Sequence, residues 1–499
     1  MAQPWCVSLP SIDVDRPGRH LPARPATPRA PVGWRRPPRL AGGLGLLALS
    51  AVVGIACSSP RSRLGDRPNV LLISIDSLRA DHLGIYGNPH PTSPVIDRLA
   101  REGVLFEHAL APTSWTLPSH ATMLTGKSQR HHQTTTTDDK IRSEHEMVSE
   151  VFARSGYETI GFFSGPFLHP VYGFSRGFER YISCQAEDTA KAEGGPDAWR
   201  TAHADRTNHL VRAAFQRWVD ERSGRPFFAF VHLWDVHFDY IPPEPFASMF
   251  DPDYRGPLDG RNIGQEGFPL DAPPRDVEHL KALYDGEIRY TDQTIGEFLD
   301  ALEHAGVLDR TLIVVTADHG EEFLEHGNKT HRKAIYEESI HVPLIVWARS
   351  GLPRGVRVAA PVALEDVAPT ILDLAGLPPL RAADGRSLRA LIEGRTPPDG
   401  ERTIFSEFYD PGSGELRIAA ARQGERKLIV HPPRLRAFYD LAADPGESHP
   451  QPGRRDRDLL QQLDADIAES IAAAARREKS SAEVPQDVRD RLRSLGYVK

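Results

Sequence analysis

The sequence predicts an α/β fold in which a mostly parallel central sheet is flanked by helices. Three nearly continuous apolar runs of strand length are typical of central parallel strands buried on both faces: residues 69–75, 227–233 and 312–317. Amphipathic segments between and after these runs are predicted to be helices: residues 93–102, 205–221 and 284–305. This alternation of strands and helices favours the α/β class.

The C-terminal part of the chain has a different pattern. Residues 377–400 are rich in Pro and Gly and indicate a linker. Three short strand candidates follow at 403–408, 417–421 and 426–430, with a plausible hairpin turn at 422–425. Residues 456–476 are rich in Ala, Leu and Asp and predict a helix. The Pro- and Gly-rich segment 240–275 predicts a long loop, and such loops often cover enzyme sites.

Composition and charge fit a globular enzyme rather than a nucleic-acid-binding protein. Of the 499 residues, 40% are hydrophobic and 26% are charged, and the net charge is −8. Residues 1–60 have seven Arg and two Asp and so carry +5, which leaves −13 for the remainder. Because nucleic acids select basic surfaces, we expect no nucleic-acid partner.

The first 60 residues resemble an export signal rather than part of the fold. Residues 1–39 form a Pro- and Arg-rich extension that we expect to be disordered. An apolar stretch at 40–56 follows, and Cys57 then stands where a bacterial lipoprotein is cleaved and lipid-modified. We therefore expect an exported protein, lipid-anchored to a bacterial membrane and facing the periplasm or the exterior. The alternative is an uncleaved anchor helix, for which 17 apolar residues is near the short limit.

The cysteines do not form a disulfide framework. Cys6 and Cys57 precede the body of the protein, which leaves Cys184 alone there. We interpret Cys184 as a spectator rather than a nucleophile.

A hydroxyl stands at a predicted helix start in the run 113–126. Thr116 lies two residues before Pro118, which suits a first helical turn because its missing N–H costs nothing there. Free N–H groups and the positive end of the helix dipole then favour an anion near Thr116. The alternative interpretation is a capped helix without chemistry.

Acidic residues follow two of the predicted strands. Asp76 comes directly after the first strand, and Asp318 and His319 come directly after the third. Ligands of open α/β sheets bind at the carboxyl ends of strands. Together with Thr116 these side chains predict a site for one divalent metal ion. An imidazole ligand favours zinc or manganese, while calcium and magnesium stay open.

Two further polar segments receive simpler interpretations. His232, within the strand 227–233, reads as a core or capping residue. The charged run after Gly320 has no apolar periodicity, and we interpret Glu321 and Glu322 as part of a solvated loop.

The chain resembles the sulfatase family of the alkaline phosphatase superfamily. The resemblance covers roughly residues 67–450 and the last few residues. The matching segments, in order, are Pro68–Asp76, Gly84–Gly87, Leu117–Ser119, Leu124–Gly126, Gly156–Tyr157, Phe227–His237, Tyr284–Ile288, Asp318–Gly320, Val342–Ile345, Asp366–Gly376 and Tyr439–Pro445. The resemblance implies an alkaline phosphatase-like catalytic domain at 66–395, a small antiparallel sheet at 396–450 and a helical tail at 451–499, after a signal and lipobox region at 40–60.

The resemblance also implies roles for residues that spacing alone does not assign. His237 matches the substrate-side histidine of the family and is expected to protonate the leaving group. His331 and Lys333 precede Tyr336 and Glu337, where the family has a cationic residue facing the substrate. One of these two is expected to bind the anion.

The chain departs from the family at the active site. Thr116 replaces the Cys or Ser that is oxidised to formylglycine, and His120 replaces the Arg of the same motif. Ser77 replaces the second acid of an Asp-Asp pair, and His319 replaces the usual Asn. The second signature of the family reads Phe163–Pro166 here and lacks its Lys and His. Threonine cannot yield the aldehyde because its carbinol carbon carries a methyl group.

These departures favour phosphorus chemistry. Threonine nucleophiles with an Asp-His pair resemble the phosphoethanolamine and phosphoglycerol transferases and the nucleotide pyrophosphatases of the superfamily. We expect a metal-dependent hydrolase or transferase of sulfate, phosphate or phosphonate esters, with Thr116 as nucleophile and His120 helping to hold the anion. The substrate is expected to be a small-molecule, glycan or lipid-linked anionic ester. The alternatives are a true sulfuric ester hydrolase and a catalytically silent anion-binding lipoprotein.

Overall fold

Nine strands form one mixed, mostly parallel sheet in the computed structural model. The structure describes residues 65–185, 206–265, 267–395, 402–432, 435–451, 457–476 and 480–498. The predictions for residues 1–39 and 40–60, including Cys57, therefore lie outside the described residues. Among the described helices, none is both long enough and apolar enough to cross a membrane.

The described strands and α-helices alternate over the first three quarters of the chain, as the sequence predicts. The strands are β1 Asn69–Ile75, β2 Val104–Leu110, β3 Glu158–Phe163, β4 Arg180–Ser183, β5 Phe227–Leu233, β6 Thr311–Ala317, β7 Glu322–Phe323, β8 Lys329–Thr330, β9 His341–Trp347, β10 Val356–Val358, β11 Val362–Ala363, β12 Ile404–Tyr409, β13 Leu416–Gln423, β14 Arg426–His431 and β15 Leu435–Asp440. The helices are α1 Pro94–Glu102, α2 Thr116–Thr125, α3 Gln129–His132, α4 Val148–Arg154, α5 Asn208–Glu221, α6 Pro274–His304, α7 Glu337–Ile340, α8 Val367–Leu374, α9 Arg389–Ile392, α10 Arg457–Ala475 and α11 Gln486–Ser494.

The sheet has the order β10-β2-β9-β6-β1-β5-β3-β4, and β11 also pairs with β2. Strand β9 runs antiparallel to both of its neighbours, while β1 runs parallel to β5 and β6. The last residue of β1, Ile75, pairs with Leu233 of β5 and Ala317 of β6. This register places the residues that follow three central strands at one edge of the sheet.

The three central strands are buried along their whole length, as their apolar runs predict. Burying these side chains between layers of helices is the main favourable contribution to the fold, at about 25 cal/mol per Å² of apolar surface. The fold class predicted from the sequence is confirmed.

The C-terminal sheet is antiparallel and has four strands in the order β12-β13-β14-β15. The sequence predicted three of them and missed β15, which pairs with β14 from Arg426↔Asp440 to His431↔Leu435. Helix α10 covers this sheet, and its Leu459 and Leu463 are buried in one cluster with Ala419 and Ala421.

Helix α6 begins ten residues before its predicted start. It starts at Pro274 rather than at residue 284. Proline occupies the first turn, and the buried Leu280 and Leu283 extend the apolar face toward the N-terminus. The segment 240–273 contains no helix or strand in its described residues, in agreement with the predicted loop.

Candidate active site and metal centre

Three predicted metal ligands converge at the ends of β1 and β6. Nε2 of His319 lies 3.3 Å from Oδ2 of Asp318 and 3.8 Å from Oδ1 of Asp76. One ligand atom from each residue lies within 4.8 Å of the other two, and all three side chains are buried. The structure therefore brings together the group that the sequence placed at two strand ends.

Hydrogen bonds fix the orientation of this group. The backbone N–H groups of Ser77 and His319 donate to Oδ1 of Asp318 at 3.1 and 2.9 Å. The hydroxyl of Ser77 donates to Oδ1 of Asp76 at 2.9 Å. Nδ1 of His319 donates to the carbonyl of Gly320 at 2.9 Å, so Nε2 presents its lone pair to the centre.

A bound cation would stabilise the buried carboxylates of this group. Burial raises the pKa of Asp76 to about 6, and burial together with Asp76 also raises the pKa of Asp318. Oδ2 of Asp318 is buried and accepts no hydrogen bond from the described residues. Two buried carboxylates, one of them with an unpartnered oxygen, beside an imidazole lone pair are a donor set that fits a divalent metal ion.

Thr116 lies at the mouth of this group, on the first residue of α2. Its Oγ1 lies 3.3 Å from Nε2 of His319. Trp115 is extended and precedes the helix, and Pro118 falls in the first turn as predicted. The hydroxyl of Ser119, one residue further along, donates to the carbonyl of Asp318 at 2.6 Å and ties the helix to the end of β6. Thr116 is completely buried.

His120 lies behind the metal ligands, with both ring nitrogens engaged. Nδ1 donates to the carbonyl of Thr116 at 2.9 Å, and Nε2 lies 3.0 Å from the hydroxyl of Ser74. Burial lowers its pKa to about 4, so the ring is neutral near pH 7. Nδ1 also lies 3.5 Å from Oδ2 of Asp318. This geometry favours a role in orienting Asp318 and the first turn of α2 over direct contact with an anion.

His232 is a site residue whose role the sequence interpretation missed. Its Nε2 lies 3.2 Å from Oδ2 of Asp76, and its ring contacts that of His120. Burial lowers its pKa to about 4, so a neutral ring donates to the carboxylate. The sequence held a signal, because His232 interrupts an otherwise apolar strand. The structure pairs it with Ser74 of β1.

The opposite wall of the site holds His237, His331 and Tyr497. The hydroxyl of Tyr497 makes a short hydrogen bond with Nε2 of His237 and lies 3.4 Å from Nε2 of His331. The ring centroid of His331 lies 4.4 Å from that of His319. The structure thus places His331 beside the candidate metal ligands. Nζ of Lys333 instead donates to the carbonyl of Lys329 at 2.9 Å.

The interpretation of Glu321 and Glu322 as part of a solvated loop is wrong. Both side chains are buried, because the chain folds back on itself here as the short ladder of β7 and β8. Oε1 of Glu321 lies 3.1 Å from Nδ1 of His331. Burial raises the pKa of Glu322 to about 7 and that of Glu321 well above its ordinary value. Cys184 is buried outside this group, as expected of a spectator.

Comparison with known families matches most of the described chain. The family model described as Sulfatase matches residues 68–377. A second model, described as N-sulphoglucosamine sulphohydrolase, C-terminal, matches residues 325–474. The two matches overlap after β6 and together span the catalytic part and the C-terminal sheet.

Similar curated proteins include sulfatases and a multifunctional protein of the alkaline phosphatase superfamily. The arylsulfatase of Clostridium perfringens is 28% identical over 441 residues, covering 76% of this chain and 89% of the relative. Human arylsulfatase A is 27% identical over 475 residues, covering 81% and 85%. The multifunctional alkaline phosphatase superfamily protein PehA of Trinickia caryophylli is 25% identical over 473 residues, covering 76% and 90%.

Solved structures show the same fold. The phosphonate monoester hydrolase of Agrobacterium radiobacter has a TM-score of 0.66 and 24% identity, covering 84% of this chain and 99% of that one.

Proposed function

Because the chain belongs to the sulfatase family, we propose that it is a metal-dependent ester hydrolase or transferase in which Thr116 is the nucleophile. One observation carries the proposal. Oγ1 of Thr116 lies 3.3 Å from Nε2 of His319, at the start of α2 and beside two buried carboxylates. In the proposed correspondence with the family motif, Thr116 takes the position of the oxidised Cys or Ser.

Asp76, Asp318, His319 and Thr116 would hold the ion. When bound, a divalent metal ion would lower the pKa of the Thr116 hydroxyl and neutralise charge on the oxygens of the ester. Zinc or manganese suits the mixed donor set best, with calcium and magnesium as alternatives. A catalytically silent anion-binding protein would not need to keep these ligands together.

The chain's own residues would then carry the reaction. The Thr116 hydroxyl releases its proton to water, and Oγ1 attacks the sulfur or phosphorus atom in line, forming a covalent bond to it as the bond to the departing oxygen breaks. His237 supplies a proton to the departing oxygen. Burial keeps the His331 ring neutral and also raises the pKa of Glu321, so a protonated Glu321 donates to Nδ1 of His331 and leaves the Nε2–H group to donate to an oxygen of the anion. We assign this role to His331 rather than Lys333, whose Nζ donates to a backbone carbonyl. Water or an acceptor alcohol then releases the group from Thr116.

The substrate preference we propose is for phosphate diesters or phosphonate esters over sulfate esters. Formylglycine expels sulfate by re-forming its aldehyde, and a sulfated threonine has no such exit. A phosphorylated threonine can be attacked directly by water or by an alcohol. The alcohol portion would be a small molecule or part of a glycan or lipid. Relatives such as the ulvan-active sulfatase of Formosa agariphila favour a glycan.

A true sulfatase that tolerates threonine is the second candidate, because arylsulfatases are among the similar proteins. A panel of one aryl sulfate, one phosphate diester and one phosphonate monoester, all releasing the same phenol, separates the two candidates. We expect the phosphorus esters to have the higher kcat/KM. If the aryl sulfate is the best substrate, the second candidate is correct.

We also propose export and attachment to a membrane through a lipid on Cys57. The support is the order of basic residues, apolar stretch and cysteine in residues 35–57.

A further inference from the structure

The segment 480–498 supplies a side chain to the candidate active site. Helix α11 lies against residues 166–168, and its Val488 and Leu492 are buried in the main hydrophobic core together with Leu495. Upstream of it, the N–H of Ala482 donates to the carbonyl of Asp138 at 2.6 Å, and the N–H of Lys140 donates to the carbonyl of Ser480 at 3.0 Å. Packing and hydrogen bonds therefore fix segment 480–498 against the rest of the protein, beside the candidate active site.

Tyr497 is held in a defined orientation. The guanidinium of Arg332 lies 4.7 Å from the centroid of the Tyr497 ring and 5.0 Å from that of the Trp115 ring. Phe167 contacts the same tyrosine with ring centroids 5.0 Å apart. Residue 497 is only 9% exposed. These contacts direct the hydroxyl into the site.

The hydrogen-bond chemistry at this hydroxyl is determined by its neighbours. Nδ1 of His237 donates to the carbonyl of Phe238 at 2.7 Å, so the Nε2 of a neutral ring is an acceptor. The Tyr497 hydroxyl donates to it. When His237 carries a second proton, its Nε2 donates and the phenol oxygen accepts. A phenol is suited to both arrangements.

We infer that Tyr497 relays the proton from His237 to the departing oxygen of the ester, an inference that rests on the proposed function. As the bond between the central atom and the bridging oxygen breaks, the electron pair stays on that oxygen. The oxygen takes the hydroxyl proton of Tyr497, and the phenol oxygen takes the Nε2 proton of protonated His237. The net change is one proton moved from His237 to the alcohol. The attacking water or alcohol returns a proton along the same path in the second half of the reaction.

Burial supports this assignment, because it raises the pKa of Tyr497 well above its ordinary value and keeps the phenol protonated. The chain offers a matched control in Tyr172. This residue is also buried and also contacts Phe167, but its hydroxyl has no hydrogen-bond partner among the described residues.

The test compares Tyr497→Phe with Tyr172→Phe on a series of aryl esters of one acid. The esters differ only in the phenol released, from 4-nitrophenol to unsubstituted phenol. A good leaving group departs without a proton, and a poor one needs it. We expect Tyr497→Phe to lose about 10- to 100-fold in kcat on the phenyl ester and much less on the 4-nitrophenyl ester. Tyr172→Phe should match the wild type on both. An equal loss on all esters, or no loss, would overturn the relay.

A second measurement does not depend on turnover. Diethyl pyrocarbonate acylates unprotonated imidazole nitrogens, and mass spectrometry quantifies the modified peptide. Removing the hydroxyl that covers Nε2 of His237 should speed acylation of His237 several-fold in Tyr497→Phe and leave it unchanged in Tyr172→Phe. An unchanged rate in Tyr497→Phe overturns the hydrogen bond on which the relay depends. Activity that persists in Thr116→Ala instead contradicts the proposed nucleophile, so the two failures are distinguishable.

Discussion

Oδ2 of Asp318 lies 3.3 Å from Nε2 of His319 and accepts no hydrogen bond from the described residues, although its partner oxygen Oδ1 accepts two. A buried carboxylate oxygen without a partner is costly. Its position facing Asp76 and the imidazole lone pair indicates where a cation would bind.

Asp318→Ala should therefore remove the metal. The wild type should retain about one divalent ion per chain after dialysis, measured by inductively coupled plasma mass spectrometry, and the variant should retain close to none. Asp292→Ala is the control, because Asp292 is also a buried carboxylate but accepts N–H groups of Val95 and Ile96 at the start of α1. Equal metal content in Asp318→Ala and wild type would contradict this site.

Lys427→Met should destabilise the protein strongly. Nζ of Lys427 is buried between Glu337 at 3.0 Å and Glu447 at 2.9 Å, where the C-terminal sheet meets α7. Removing the ammonium leaves the buried Glu447 carboxylate without its cation and beside Glu337, which keeps its ion pair with Arg422, at a cost of about 3–5 kcal/mol in the free energy of unfolding. Urea denaturation measures this loss.

Arg349→Met, which breaks exposed pairs with Glu303 and Asp309, should cost no more than about 1 kcal/mol. Similar losses in the two variants would contradict the greater cost that we assign to breaking the buried ion pairs of Lys427.

His132 should make the protein sensitive to mild acid. Burial lowers its pKa from 6.5 to about 3 in the folded state, and its ring bonds to Thr122 and Thr134. Since the unfolded chain takes up a proton below pH 6.5 and the folded chain does not, stability falls as pH drops from 6.5 toward 3. At pH 5 this proton uptake by the unfolded chain lowers the free energy of unfolding by about 2 kcal/mol.

Urea denaturation at pH 7.5 and pH 5 measures this loss in the free energy of unfolding. His132→Asn should lose less stability on acidification than the wild type does. His131→Asn should lose more stability on acidification than the wild type does. Nδ1 of His131 donates a hydrogen bond to Asp384, which raises the pKa of His131, so protonation of this ring stabilises the fold as pH falls. Equal pH dependence in His132→Asn and wild type would show that this ring is not a buried neutral group.

Cys57→Ser should release the protein from the membrane. If Cys57 is the lipid-modified first residue of the mature chain, the variant should lose its lipid and appear in the soluble fraction of cells expressing the full-length sequence. N-terminal peptide mapping of the membrane-bound wild type is the direct check. A peptide from upstream of Leu40 in that material would show that the segment is not cleaved and would favour an anchor helix.

The sequence allowed the sheet and the candidate metal-binding group to be predicted because both depend on short-range patterns. Asp76 and Asp318 directly follow strands whose apolar runs are unambiguous, and parallel pairing then brings them together. Strand β15 was missed because its residues 435–440 mix Arg and aromatic residues without alternation. The start of α6 was missed because it adjoins a Pro-rich loop.

The other wall of the site could not be predicted in the same way. Tyr497 and His237 are separated by 260 residues and meet only through tertiary packing. Glu321 lies in a charged run that resembles a solvated loop, and only the fold-back at β7 and β8 buries it. The polar composition of this run indicates exposure on average. It does not identify which carboxylate is buried next to His331.

The site of covalent attachment tests most directly whether Thr116 is the nucleophile. The protein is quenched in acid during turnover of an aryl phosphonate or phosphodiester, digested, and analysed by mass spectrometry. We expect a phosphorus-containing group on Thr116, no adduct and no turnover in Thr116→Ala, and both adduct and turnover at a reduced level in Thr116→Ser. An adduct on another residue, or full activity in Thr116→Ala, would contradict this assignment of the nucleophile.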